Sequence, residues 1–424
     1  METAGFVRFV GPSMKALVVL CFAGLVSAAG AQGLPDPLVG NDGAKITTAA
    51  EWRGKRRPEL IELFTREMYG RNPGRPEKMT FEVFDRDVAA LEGKATRVQI
   101  AIYPGGKPGP RMDLLVYVPN GAKGPVPAIL GLNFWGNHAI HKDPGIRLTE
   151  SWVEARTSYA DLTGVRDHRA TDAARGVNAS QWPVEEILSR GYALATMYRE
   201  DVAADHEPYF ASGVHPLFPE LQNGDDNFST IGAWAWSLSR ALDALEKEPL
   251  IDSKRVAVFG FSRLGKAALW AGASDERFAM VLSNESGAGG AKLFHRGVGE
   301  SIERLTSVFP HWYARNFRKY AGKDTELPFD QHMVISLVAP RPVYVGSAKE
   351  DTYADAEGEF AAAKAAEPVF RLLGADGFPA DEWPPVGTSV QGGIGYHVRP
   401  GKHDVLPFDW QQYLLFADKH LKPR

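Results

Sequence analysis

Val256-Ala257-Val258-Phe259-Gly260-Phe261-Ser262-Arg263-Leu264-Gly265-Lys266-Ala267-Ala268-Leu269-Trp270 decides how this chain of 424 residues folds. A short, continuously apolar run reads as a strand buried on both faces. It meets Gly-x-Ser, and a helix-prone segment begins at once. Strand, tight turn and helix in that order expose a serine hydroxyl, and the first N–H groups of the helix lack acceptors within it. The usual form of this turn is G-x-S-x-G. Here the second glycine falls one position late, at Gly265, with Leu264 in its usual place.

Outward from the turn, the chain alternates. Strand-like runs occupy 98–103, 114–118, 126–134, 193–198, 256–259, 280–282 and 343–345. The first two sit close together and alternate in polarity, as antiparallel hairpin strands do; the later ones are uniformly apolar. Helical patterns run over 48–68, 231–248, 355–366 and 408–421. In the second, Ile231, Trp234, Leu238, Leu242 and Leu245 recur at three- and four-residue steps, so Trp234 and Trp236 read as core rather than as a ligand box. Lys55-Arg56-Arg57 reads as a solvated helix face. Strands followed by alternating helix and strand predict an α/β class: a three-layer sandwich with a mostly parallel mixed sheet covered on both faces. Residues 138–183, polar and irregular, read as an insertion over one end of that sheet.

A hydroxyl becomes a nucleophile only when an imidazole can take its proton and a carboxylate can hold the imidazolium. Candidates follow Ser262 in the order serine, acid, histidine typical of the α/β-hydrolase fold. Glu285 lies at the carboxyl end of the next strand and Asp351 at the end of the following one. His403 lies in a glycine-preceded loop before the last helix. Either carboxylate can serve, and Asp351 reads equally as a cap for the helix from 355. His397 is the alternative base, though it falls within a strand pattern. His138 and His141 form an H-x-x-H without a third ligand at a diagnostic spacing, so no metal site is expected. Gly287-Ala288-Gly289-Gly290 lacks the frame of a phosphate loop and reads as a tight backbone bend.

At these residues the sequence resembles the glucuronoyl esterases, carbohydrate esterase family fifteen. The resemblance rests on Gly260 to Lys266, with its late glycine, on Glu285 to Gly290, on Gly299-Glu300 and on Gly401-Lys402-His403-Asp404. Asn133-Phe134-Trp135-Gly136-Asn137-His138 shares it, and it extends from about Trp52 to the end. It implies a serine esterase that cleaves, through an acyl-enzyme, the ester between 4-O-methyl-glucuronic acid of glucuronoxylan and alcohols of lignin. It implies Ser262 as nucleophile, His403 as base, and Glu285 as acid, with Asp351 at the position used by other members. Arg263 would stabilise the oxyanion, while Lys266 and Glu300 would bond sugar hydroxyls. Tyr353 stands where a tryptophan usually meets the sugar, and Phe261 where disulfide-bearing members carry cysteine. No cofactor is implied. An acetyl or other carbohydrate ester is the alternative substrate for the same triad.

The remaining sequence bounds the setting. A net charge of −4 provides no electrostatic footprint for nucleic acid. Arg8 and Lys15, the apolar run 16–26 and Ala29-Gly30-Ala31 read as a secretory signal over 1–31. A linker over 32–44 and one catalytic domain over 45–424 would follow. Removal of the signal takes the only cysteine, Cys21, so an exported, disulfide-free monomer without a membrane segment is expected, secreted or periplasmic.

Overall fold

A computed structural model describes residues 33–155 and 163–422. The signal over 1–31 lies outside the described residues. No described helix is long and apolar enough to cross a membrane.

Twelve strands are described. β1 (Thr80–Ala90), β2 (Ala95–Tyr103), β3 (Met112–Pro119) and β4 (Val126–Asn133) come first, then the two-residue strands β5 (Val165–Arg166) and β6 (Arg169–Ala170). β7 (Ala193–Tyr198), β8 (Ile251–Phe261), β9 (Met280–Asn284), β10 (Val343–Ala348), β11 (Thr388–Gln391) and β12 (Ile394–Arg399) follow. Ten form one sheet in the order β1-β2-β3-β7-β4-β8-β9-β10-β12-β11. From β7 to β12 every pairing is parallel; β1, β2 and β3 at one edge and β11 at the other run antiparallel.

The central strands alternate between two cores, because successive side chains leave a strand on opposite faces. Val256 and Val258 of β8 join one cluster, with residues of the helices Thr230–Leu245, Arg263–Ser274, Gln331–Val338 and Ala356–Leu372. Ala257 and Phe259 join the other, with the helices Val184–Ser189 and Pro407–Leu421. This is the three-layer α/β-hydrolase architecture expected, and Trp234 and Trp236 are core residues, as read.

Three local expectations need correction. The basic run is not a solvated face. Helix 49–69 contains wider π turns at Trp52–Arg56 and Thr65–Tyr69, and the Arg56 side chain is buried, donating to the Pro37 carbonyl, Asn41 and Glu59. Arg57, half-buried, donates to the Ala273 carbonyl, and Lys55, also half-buried, pairs with Asp42. The helix expected to stop at 366 continues through Pro368 to Leu372. Buried Val369 and Phe370 hold that last turn despite the missing N–H. Strand β1, absent from the reading, is an edge strand whose side chains are mostly exposed or half-buried, so its sequence carries no apolar signal.

Candidate active site

The parallel strands deliver four loops to one edge of the sheet. β8 ends at Phe261, β9 at Asn284, β10 at Ala348 and β12 at Arg399, and each is immediately followed by a candidate residue or its loop. The registers Phe261↔Asn284, Asn284↔Gly346 and Ala348↔Arg399 bring those ends side by side.

Ser262 sits at φ 57°, ψ −129°, a left-handed conformation that L-residues adopt only under constraint. Crossing of the helix over its own strand imposes it. A Cβ on Gly260 would lie 2.0 Å from the Leu264 carbonyl oxygen, and one on Gly265 would lie 3.0 Å from the Gly260 oxygen and the Ser286 Cβ. The late glycine is therefore the point where the first helical turn passes the ends of β8 and β9. Ser262 N–H donates to the Asn284 carbonyl at 2.9 Å, tying the turn to the neighbouring strand.

His403 Nε2 lies 2.8 Å from Ser262 Oγ. Its Nδ1 faces both carboxylates: Asp351 Oδ2 at 2.5 Å and Glu285 Oε2 at 3.3 Å. These acids and the imidazole cluster within 4.8 Å, a spacing that a shared ring proton accounts for. Asp351 Oδ1 also accepts from the N–H groups of Tyr353 and Ala354, so it caps its turn and meets the histidine at once. His397 is fully buried in β12, 2.8 Å from Asp409, and does not reach Ser262.

Different surroundings separate the two acids. Burial pushes Glu285 up to about 7, against the hydrogen bond to His403 and the charge of Arg399. Burial also acts against ionised Asp351, but its hydrogen bond with His403 prevails and holds it below the usual carboxylate range. Burial would lower His403, yet the two carboxylates outweigh it and raise the imidazole to about 9.

Arg399 was not singled out from the sequence, and it organises this end of the site. Buried at the end of β12, it donates to Glu285 Oε1 at 2.5 Å and to both oxygens of Asp409. It also donates to the carbonyls of Pro400, Lys402 and Asp404, which frame the His403 loop. Asp205, equally unforeseen, accepts four donors. Arg199 and Arg263 meet Oδ2 at 2.5 Å each, and His311 and Trp312 meet Oδ1 at 2.9 and 2.7 Å. Burial disfavours its charge, but the two guanidinium groups keep it well below the usual range. The available signal was the charged run Arg199-Glu200-Asp201 at the carboxyl end of an apolar strand.

The remaining candidates line one cavity of about 950 Å³ with Ser262, Glu285, Asp351 and His403. Arg263 points its guanidinium at Asp205 with the Trp312 ring 4.7 Å away. Lys266 is not a solvated helix residue: it is 5% exposed, and its ammonium donates to the carbonyls of Ser286 and Ala288. Those two bonds leave one of its three N–H groups for another partner. Burial pushes this lysine down to about 8. Glu300 lies 3.5 Å from Arg304, and Tyr353, 60% exposed, stands at the rim under the same guanidinium. The glycine run bends as expected, with Gly287 and Gly289 at positive φ; a Cβ on Gly289 would strike the Tyr313 hydroxyl. Residues 138–183 contribute Trp152, Glu154, Val177, Asn178 and Gln181 to the lining, and Gln181 bonds Asp404 at 2.5 Å. His138 and His141 share no ligand geometry: His141 faces Glu185 and the Asp143 N–H, while His138 is buried and held neutral by desolvation.

Comparison with known proteins finds relatives among the carbohydrate esterases. A family model described as glucuronyl esterase, fungi, matches residues 171–374, a span that holds Ser262, Glu285 and Asp351. A carbohydrate esterase of an unknown prokaryotic organism is 46% identical over 392 residues, covering 92% of this chain and 89% of that protein. A 4-O-methyl-glucuronoyl methylesterase of Schizophyllum commune is 27% identical, over 82% of this chain and 76% of that protein. Among solved structures, a glucuronoyl esterase from Solibacter usitatus is 43% identical with a TM-score of 0.86, covering 92% of this chain and 98% of that one. A promiscuous esterase of carbohydrate esterase family 15 from a marine bacterial metagenome is 47% identical with a TM-score of 0.85, over 91% and 96% of the two chains.

Proposed function

The chain belongs to the glucuronoyl esterases of carbohydrate esterase family 15, which are carboxylic ester hydrolases, and from that premise we propose that it cleaves esters of 4-O-methyl-glucuronic acid by serine catalysis. Ser262 Oγ attacks the ester carbonyl carbon while His403 Nε2 takes its proton. Asp351, with Glu285 behind it, stabilises the imidazolium through Nδ1. The oxyanion forms at the start of the helix Arg263–Ser274, where the Arg263 N–H and guanidinium receive it. Collapse breaks the acyl C–O bond, and the alcohol leaves with the proton from Nε2. Water then attacks the acyl-enzyme with His403 again as base, releasing the uronic acid and restoring Ser262.

The observation that carries this reading is the 2.8 Å contact between Ser262 and His403 in a cavity that Arg263, Lys266 and Glu300 also line. An imidazole beside a hydroxyl supplies acyl transfer, and cations with a carboxylate suit a polyhydroxylated uronate. The names of the relatives favour the same acyl group, and a lignin alcohol is the leaving group we assign to it. Lys266 and Glu300 bond sugar hydroxyls in this reading, and Tyr353 flanks the ring. We further place the protein outside the cytoplasm, on the leader-like residues 1–31, and treat 45–424 as one catalytic domain.

Ser262→Ala is expected to abolish release of methanol or benzyl alcohol from a glucuronate ester; retained turnover refutes the mechanism. Rates on a glucuronate ester and on acetylated xylan separate the uronate reading from an acetyl esterase. Lys266→Ala and Glu300→Ala are expected to depress only the former.

A further inference from the structure

Glu300 and Tyr353 belong to different loops, yet their backbones are zipped together. The Glu300 N–H donates to the Tyr353 carbonyl at 3.2 Å. Gly299 makes this approach possible: it sits at φ 74°, and a Cβ there would lie 2.6 Å from the Tyr353 carbonyl oxygen. On its other side, the Glu300 carbonyl accepts from the Lys292 ammonium at 2.7 Å. The Tyr353 N–H in turn donates to Asp351 Oδ1 at 3.2 Å, beside that of Ala354 at 3.1 Å. A chain of hydrogen bonds therefore runs from Lys292 through Glu300 and Tyr353 to the acid that meets His403.

Lys292 is 1% exposed and stands outside the residues that line the cavity. Its backbone closes the glycine bend, the N–H donating to the Gly287 carbonyl at 3.0 Å, and Lys266 grips the same bend through the Ser286 and Ala288 carbonyls. The side chain thus starts from a fixed base. Burial acts against its charge, while Asp355, Asp324, Asp330 and Glu300 favour it. A buried ammonium needs an acceptor, and a carbonyl at this distance is a strong one. We propose that Lys292 is a positioning residue for substrate binding: through the Glu300 carbonyl it holds Glu300 against Tyr353, and so sets the spacing of the two side chains that receive the uronate ring. The inference rests on the glucuronate-ester reading above and adds to it a residue that never touches substrate. Asp351 keeps the Ala354 N–H and the His403 ring when the zip loosens, so sugar binding suffers before proton transfer does.

The test compares the wild type with Lys292→Met, which removes the donor, and with Gly299→Ala, which forces the two segments apart at an exposed position. Two quantities are read: kcat and KM on the benzyl ester of glucuronate, and the rate at which a small fluorophosphonate labels Ser262. Each variant is expected to raise KM about tenfold while kcat stays within about twofold, the split that marks lost ground-state binding. Labelling, which needs only the serine and its base, is expected to be unchanged. Should Lys292→Met not fold, Gly299→Ala decides alone. An unchanged KM in a folded variant overturns the proposal, and so does a fall in kcat and labelling alongside KM, which is the mark of a general structural role. A wild type that is labelled yet inert toward the ester refutes the glucuronate reading instead, and the role of Lys292 in uronate binding falls with it.

Discussion

In the proposed mechanism the proton on His403 Nδ1 is held between Asp351 and Glu285. His403 is raised to about 9, and only the neutral imidazole can accept the Ser262 proton. Activity should therefore increase as pH rises through that value, rather than levelling off near the ordinary histidine range. Asp351→Asn removes the nearer carboxylate, at 2.5 Å. It is expected to move the limb of the kcat/KM–pH profile to lower pH and to lower kcat more than Glu285→Gln, whose carboxylate stands at 3.3 Å. Equal effects of the two substitutions would show that the distances do not rank the acids. In the proposed mechanism Asp205 is one step removed, as a positioning residue that holds the Arg263 guanidinium. Arg263→Ala is expected to lower kcat about 100-fold, and Asp205→Asn by a smaller factor. The double variant should resemble Arg263→Ala alone, because both act through one guanidinium. Additive losses in that cycle would give Asp205 a separate structural role.

At the scale of the element, the turn between β8 and its helix depends on two glycines for different reasons. Gly260 faces a backbone oxygen that no rotamer change can remove, 2.0 Å from where a Cβ would stand. Gly265 faces contacts at 3.0 Å, one of them the Ser286 side chain, which can give by a few tenths of an ångström. Gly265→Ala is expected to cost about 1–3 kcal/mol of unfolding free energy, and Gly260→Ala distinctly more, up to loss of folded protein. Thermal and denaturant unfolding of the two variants checks the order. The same crossing explains why the glycine falls one residue later than in the common pattern: the close approach here is to the ends of both β8 and β9.

Across the whole molecule, Arg399 joins parts that lie far apart in the chain. Its guanidinium binds Glu285 after β9, Asp409 in the last helix, and three carbonyls of the His403 loop. Arg399→Met would leave two buried carboxylates without their cation. A loss of about 3–5 kcal/mol is expected, together with loss of activity as the histidine loop is released. Urea unfolding beside a rate assay reads both; full activity with unchanged stability would mean that the loop holds itself.

What the sequence determined unaided is whatever depends on neighbours in the chain. The apolar runs of the central strands, the glycine-flanked Ser262, and the order serine, acid, histidine are local signals, and they were enough for the α/β class and the candidate residues. β1 escaped because an edge strand buries too little to impose a pattern, and Arg56 misled because its burial comes from a π turn and a distant carbonyl. Distances between loops on different strands had no local signature at all. That both Asp351 and Glu285 reach one ring nitrogen, that Arg399 and Asp205 gather partners from several elements, and that Lys266 is buried all follow from the parallel sheet bringing the strand ends side by side. Burial and charge pairing are properties of that assembly, so only the tertiary structure could decide them.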